Sequence, residues 1–207
     1  MALSIQILHG DQIAPYIDDV ARLRIEVFHD FPYLYDGDMA YERSYLKTFS
    51  QAKDSVLVLA LHDGEVVGAS TGLPLTEEPP EIQAPFIEKG YDVERVFYFS
   101  ESVLQNMYRG RGIGLSFFQQ REQWARDLGR FDTLTFCAVV RPEDHPLRPS
   151  VYVPLDDFWQ HRGFHSTDML CRMEWKDRDE SVASEKRLRF WVKSLKNQAG
   201  LKPFISR

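Results

Sequence analysis

Apolar and polar residues alternate along Leu3-Ser4-Ile5-Gln6-Ile7-Leu8, the two-residue period of a half-buried strand. From Asp11 the period lengthens. Ile13, Ile17, Val20, Leu23, Val27 and Phe28 recur at helical spacing, which predicts a helix ending near residue 28. A second helix is predicted over residues 39–49, with Tyr41, Tyr45 and Phe49 four residues apart on one face. Residues 55–61 and 66–73 read as strands, joined at His62-Asp63-Gly64-Glu65, where Asp-Gly is a hairpin signal. Residues 95–104 form a central strand, and 115–128 a helix with Phe118, Trp124 and Leu128 in its apolar stripe and Gly129 as its stop. Residues 133–140 are a further strand. The proline-broken stretch 141–149 after it can be neither helix nor central strand. A short helix over 156–162 closes at Gly163, and 169–175 and 188–195 read as the arms of a terminal hairpin. No internal repeat, low-complexity tract or linker interrupts this order.

Residues 74–92 break the rhythm with Pro74, Pro79, Pro80 and Pro85 and with acids at Glu77, Glu78, Glu81, Glu88 and Asp92. They are read as a loop with one short helix over 83–89. A long ordered loop is more often functional than idle, and a solvated surface excursion is the competing reading.

The glycines concentrate in Tyr108-Arg109-Gly110-Arg111-Gly112-Ile113-Gly114, directly before the helix that follows the central strand. Glycine lets a ligand approach the main chain, and a helix start presents unpaired N–H groups and the positive end of its dipole. That combination binds anions, phosphate above all. A Walker A loop would need Gly-Lys-Ser/Thr here, where Gly112-Ile113-Gly114-Leu115 stands. A dinucleotide fingerprint starting at Gly110 would need a glycine at Leu115, and would lie early in the chain.

The spacing that does fit is Arg-x-x-Gly-x-Gly, at Arg109, Gly112 and Gly114. It resembles the coenzyme A pyrophosphate loop of the GNAT superfamily of N-acetyltransferases. The hairpin with Asp63-Gly64-Glu65 and Val66-Val67-Gly68-Ala69 is similar to that family's pattern, as is Phe158-Trp159-Gln160-His161-Arg162-Gly163-Phe164. The resemblance covers most of residues 3–195. It implies an α/β (α+β) fold: a mixed, mostly antiparallel central sheet with helices on both faces and a splay between the two central strands. It also implies acetyl-CoA as co-substrate, bound through Arg109, Gly110, Arg111, Gly112, Ile113 and Gly114, with its pantetheine arm against the backbone of Val103 and Leu104. One departure is Asn106-Met107, where a Pro-acid pair is frequent in the family.

The 207 residues suit a single domain, 1–207, and 43% apolar with 27% charged residues is ordinary for a soluble protein. A net charge of −6 argues against nucleic acid as a partner and leaves cationic amines open. Cys137 and Cys171 match no metal spacing and read as buried thiols of a reducing compartment; no metal is expected. No apolar run approaches 18 residues, and the start Met1-Ala2-Leu3-Ser4 lacks the plan of a secretion signal, so the expectation is a cytoplasmic protein with no membrane partner. A homodimer is left open.

Transfer of an acetyl group to an amine requires that an ammonium lose a proton, since an alkylamine with pKa of about 10 is almost wholly protonated at pH 7. Glu101, on the strand the resemblance runs under the thioester, is the candidate base, and Glu94 the second choice. Which face Glu101 occupies depends on a bulge that the sequence does not place. The family often carries a tyrosine as acid four residues before the glycine of Gly-Phe. Trp159 stands there, so Tyr152 is the substitute, or the thiolate leaves unassisted. Tyr33, Tyr35, Asp36 and Asp38 are the candidate acceptor-binding residues, because aromatic faces beside carboxylates suit a cation. The acceptor stays open among polyamine, amino acid, antibiotic and protein N-terminus. A non-catalytic module of the same fold, binding acyl-CoA or a partner, is the alternative function.

Overall fold

Asp63 and Gly64 take φ of 51° and 91°, the left-handed pair that a two-residue hairpin turn requires. They join β2 (Val56–His62) to β3 (Glu65–Pro74), and around this hairpin the sheet grows in both directions. The computed structural model describes residues 2–196; residue 1 and residues 197–207, the ends of the expected 1–207 domain, lie outside the described residues. The remaining elements are β1 (Leu3–His9), α1 (Ile17–Phe28), α2 (Met39–Gln51), α3 (Pro80–Glu88), β4 (Val96–Leu104), α4 (Ile113–Asp127), β5 (Thr133–Val139), α5 (Asp156–Gln160), β6 (His165–Trp175) and β7 (Ser184–Ser194).

The seven strands form one sheet in the order β1-β2-β3-β4-β5-β7-β6. Every neighbouring pair is antiparallel except β4 and β5. Strand alternation sends successive side chains to opposite faces. Phe97 and Phe99 of β4 point to one face, where Phe117, Phe118, Phe136 and Phe164 gather under α4 and α5. Val96 and Tyr98 point to the other, packed beneath α3 with Met169 and Phe190. On that same face α1 and α2 cover β2 and β3 through Val20, Leu23, Leu46, Phe49, Leu57 and Leu59. The expected mixed sheet with helices on both faces is therefore the one observed.

Several boundaries differ for local reasons. The helix expected from Asp11 opens as a 3-10 stretch, Gly10–Tyr16, containing Pro15, which has no N–H to give; α1 starts only at Ile17. The helix of the 74–92 excursion begins at Pro80, a residue suited to a first helical position, rather than at 83. On α2, Tyr41 is exposed while Phe49 is buried. The terminal hairpin is longer than expected, with β6 starting at His165 and β7 at Ser184. Cys137 and Cys171 are free and buried. No helix among the described residues is long and apolar enough to cross a membrane.

Candidate active site

β4 delivers the glycine loop. After Leu104 the chain makes a 3-10 turn over Asn106–Tyr108, and α4 starts with Gly112 as its N-cap residue at φ 82°. Gly110 is also left-handed, at φ 75°. No side chain caps this helix and no acid lies in its first turn, so its leading N–H groups and dipole face outward. A Cβ built on Gly110 or Gly112 would meet nothing within 4 Å, and one on Gly114 only Phe158, at 3.6 Å. The space before the loop is open, as a phosphate cradle needs. Tyr108 is buried beneath it, with its hydroxyl 2.7 Å from His62 Nδ1 and the Arg111 guanidinium 5.5 Å from its ring. Arg109 lines a small cleft of about 50 Å³ with Glu26, Asp30, Gln105 and Asn106. The uncapped start of α4 and the open glycines before it fit an anion such as coenzyme A's pyrophosphate, whereas the Arg109 cleft, with the carboxylates of Glu26 and Asp30, does not.

Beside the loop the sheet comes apart. β4 and β5 are paired only at Val96–Thr133, Phe97–Leu134 and Tyr98–Thr135. Beyond Tyr98, β4 keeps β3 as its partner but has no ladder to β5, so the edges of Val103 and Leu104 toward β5 are free to pair with an extended ligand. Ser102 is solvent-exposed in the middle of this central strand, which only such a splay permits.

The bulge left unplaced by the sequence sits at the start of the splay. Ser70 pairs with Ser102 and Gly72 with Phe99, so Ser100 and Glu101 together oppose Thr71. The consequence is a change of face. Ser100 and Glu101 both turn toward α1 and α2, whereas strict alternation would have sent Glu101 beneath α4. Arg121 of α4, 1% exposed, holds the irregular backbone. Its Nη1 donates to the carbonyls of Thr71 (3.1 Å) and Glu101 (3.0 Å), and its Nη2 to Ser102 Oγ (2.7 Å).

Glu101 is 5% exposed, and its Oε2 accepts from Arg24 Nη1 at 2.6 Å and from the Tyr45 hydroxyl at 3.3 Å. Arg24 also pairs through Nε with Glu42, which is fully buried. Its guanidinium lies 4.5 Å from the Tyr45 ring centroid and 5.0 Å from that of Phe28. One guanidinium thus faces two carboxylates. Oε1 of Glu101 and Oε1 of Glu42 are buried with no partner among the described residues. Burial works against the Arg24 charge, but Glu101, Tyr45 and Glu42 outweigh it and its pKa is raised.

A third carboxylate completes the wall. Glu78, from the excursion after β3, is 9% exposed and accepts from Ser100 Oγ at 3.1 Å. Burial, against the Ser100 hydrogen bond, with Glu101 adding to the rise, pushes its pKa up to about 7. It lines a cavity of about 240 Å³ between α2 and the excursion, with Tyr45, Thr48, Phe49, Glu77 and Pro79.

The loop between α1 and α2 closes the other side and is itself held in place. Tyr33 packs on Phe28 (4.5 Å) and Trp175 (6.0 Å), and its carbonyl accepts from Arg141 Nη2 and Trp175 Nε1. Tyr35 forms a bridge with Asp177, and the neighbouring Glu42 carboxylate adds to the effect of burial on its hydroxyl. Burial raises the pKa of both tyrosines. Asp36 pairs with Lys176 at 2.5 Å, and Asp38 caps α2 by accepting from the Tyr41 N–H at 2.9 Å. Tyr152 stands edge-on to Phe31 at 4.7 Å, with Arg148 over its ring. Glu94, the second choice for a base, does not join the site. It is exposed in the turn preceding β4, at the end where β4 and β5 are still paired.

Sequence reasoning missed Arg24, Glu42 and Arg121 and saw Glu78 only as one acid in a cluster. A signal existed for two of them: Arg24 lies four residues from Val20 and from Phe28, and Arg121 four from Phe117 and Ala125, each a charge within an apolar stripe.

Several solved structures that share this fold are named as acetyltransferases. A GNAT-family acetyltransferase from Streptococcus pneumoniae shares 12% identity, covering 94% of this chain and all of that one, with a TM-score of 0.58. A putative acetyltransferase from Acinetobacter baylyi shares 10% identity over 97% of each chain, with a TM-score of 0.62. A putative acetyltransferase from Salmonella typhimurium, solved with acetyl-CoA, shares 9% identity over 98% of this chain and 99% of that one, at 0.57. At such identities the likeness establishes the fold. No curated protein matches the sequence. The acetyltransferase (GNAT) family profile matches residues 20–149, and the chain belongs to that family.

Proposed function

We propose that this protein is an N-acetyltransferase that moves the acetyl group of acetyl-CoA onto a primary amine by direct attack on the thioester. The observation carrying the amine lies at the splay, where Arg24 faces both Glu42 and Glu101 and each carboxylate keeps a buried oxygen with no hydrogen-bond partner among the described residues. Leaving such atoms unmet is unfavourable by about 1–3 kcal/mol each, more for charged groups, and an ammonium bringing three N–H donors relieves it.

Acetyl-CoA is supported by the family, by the relative solved with that molecule, and by the open, uncapped loop at Arg109–Gly114. In this reading the main chain of Arg111, Gly112, Ile113 and Gly114 holds the pyrophosphate, with Arg109 and Gly110 alongside. The free edge of Val103 and Leu104 holds the pantetheine arm. Glu101, fixed by Arg24, is the standing negative charge that draws the ammonium to the thioester. Tyr33 and Tyr35 wall the acceptor. Tyr152, whose pKa burial raises, keeps its proton at neutral pH and gives it to the departing thiolate.

A second reading, a non-catalytic acyl-CoA module, rests on Trp159. It fills the position of the family's tyrosine and packs against Phe136 and Trp191 at 5.0 Å each. Thiol release from acetyl-CoA across a panel of amines (spermidine, tyramine, lysine, an N-terminal peptide) decides. Amine-dependent release supports transfer. Tight acetyl-CoA binding with no release by any amine supports the module.

A further inference from the structure

We propose that Glu78 is the general base of the transfer, taking the proton from an acceptor ammonium that enters through the cavity between α2 and the excursion after β3. This rests on the acetyltransferase reading above and assigns to it the proton acceptor and the entry side.

Ser100, whose hydroxyl holds the Glu78 carboxylate, is the second residue beyond the last β4–β5 pair, so Glu78 stands over the start of the splay. It shares that face with Glu101 because the bulge turned Ser100 and Glu101 the same way. The two carboxylates differ in what holds them. Glu101 is clasped by a guanidinium and a tyrosine hydroxyl, and a base so held must break an ion pair to accept a proton. Glu78 has one neutral donor and opens onto a cavity. A pair of titratable groups in environments that separate them is the usual sign of divided roles.

The groups facing Glu78 support this division. Glu101 and Arg24 act on it from β4 and α1, Tyr45 from α2, Tyr98 from β4 and Cys137 from β5. Burial raises the pKa of Tyr45 and Tyr98, and contact with the Cys171 thiol together with burial raises that of Cys137, so all three stay neutral and do not compete for the proton. Burial and the Glu101 charge place Glu78 at about 7, where a base is both half ionised and strong enough to work. At about 240 Å³ the cavity lies below the ~300–1,000 Å³ of sites for drug-sized ligands, so it takes the amine end of an acceptor. Phe49 and Pro79 contact its apolar stem, and Glu77 sits at the rim.

An N–H bond of the ammonium breaks and its proton passes to Glu78. The freed lone pair forms the N–C bond to the thioester carbonyl, the C–S bond breaks, and the sulfur leaves with the bonding pair. Tyr152 protonates the thiolate, giving free coenzyme A, and the nitrogen's second proton replaces the one Tyr152 gave, while Glu78 returns its proton to solvent.

The test compares wild type, Glu78→Gln and Glu78→Asp by thiol release with the best amine of the panel, by calorimetry with acetyl-CoA, and by carboxyl-carbon NMR on glutamate-labelled protein. The expected results are a resonance absent from Glu78→Gln that titrates near pH 7, and a wild-type kcat/KM that falls below about that pH. Glu78→Gln should lower kcat by about 10²–10⁴-fold and lose that limb, with acetyl-CoA affinity unchanged, and Glu78→Asp should recover part of the rate. Wild-type turnover and an intact limb in Glu78→Gln, or a Glu78 midpoint near 4.5, overturns the assignment while leaving acetyl transfer standing. Absence of release by wild type with acetyl-CoA bound overturns both.

Discussion

Arg121 Nη1 donates to the carbonyl of Glu101 at 3.0 Å, so the residue whose side chain pairs with Arg24 is held by its backbone from the opposite face of the sheet. The same nitrogen reaches Thr71 across the bulge. Burial pulls this guanidinium's pKa down to about 9, against the Glu101 charge, which offsets part of the fall. Its guanidinium carbon also lies 4.2 Å from the Phe99 ring centroid. The bulge is therefore maintained at an electrostatic cost.

Arg121→Lys tests that relationship. An ammonium keeps the charge but lacks the planar fork that meets both carbonyls and Ser102 Oγ together. The expected loss in urea unfolding is about 1–3 kcal/mol, the range for a buried acceptor left unmet. Turnover should fall further than stability explains, because a relaxed bulge lets Glu101 return toward α4. A variant with native stability and native kcat would show that the bulge stands without Arg121.

Gly114 separates the fold from the ligand. Its φ is not left-handed, and a Cβ there meets only Phe158 at an ordinary contact distance of 3.6 Å. Alanine favours a helix interior over glycine by up to about 1 kcal/mol. Gly114→Ala should therefore leave the melting temperature unchanged or raised, while weakening acetyl-CoA binding tenfold or more in calorimetry. Gly112→Val is a poorer probe, since φ 82° strains any L side chain whether or not a phosphate binds there. Unchanged affinity in Gly114→Ala would move the pyrophosphate away from the start of α4.

Asp36 and Asp38, candidate acceptor-binding residues, each have a partner within the chain. Asp36 is tied to Lys176, which lowers its pKa, and Asp38 caps α2. Replacing both with asparagine preserves the cap, because asparagine caps as well as aspartate does. The double variant should leave KM for a cationic acceptor within about twofold, as expected for exposed and already paired charges. A KM that rises severalfold, and that salt raises likewise in the wild type, would restore these two aspartates as steering groups.

What the sequence made legible follows from the range of the forces involved. Periodicity located the strands and helices, because burial of one face leaves a local trace: on α1, buried Val20 and Leu23 stand against exposed Asp18, Arg22 and Glu26. The glycine loop was legible for the same reason, since its chemistry lies within seven consecutive residues. The acceptor wall was not. Arg24, Glu42, Glu78 and Glu101 meet across up to 77 positions, and the bulge that aims Glu101 is a mismatch between two strands, visible only once they are paired. Pro15 shows the smaller failure, where one missing N–H delayed a helix whose apolar spacing was correct.

Glu78 also carries a stability signature that is independent of any substrate. Its carboxyl has an ordinary value of 4.5 in the open chain and about 7 when buried. Between those pH values the folded protein holds a proton that the unfolded chain has released, so stability declines as pH rises through this window and is level above it. The shift corresponds to about 3 kcal/mol. Glu78→Gln removes the ionisation but keeps an oxygen for the Ser100 hydroxyl. The variant should therefore match wild type near pH 4 and exceed it in urea unfolding by up to about 3 kcal/mol at pH 8. Gaining stability where it loses turnover would mark Glu78 as a group retained for function at the expense of the fold. Equal stability at both pH values would show that the carboxylate is solvated when ionised, and the raised value would have no physical basis.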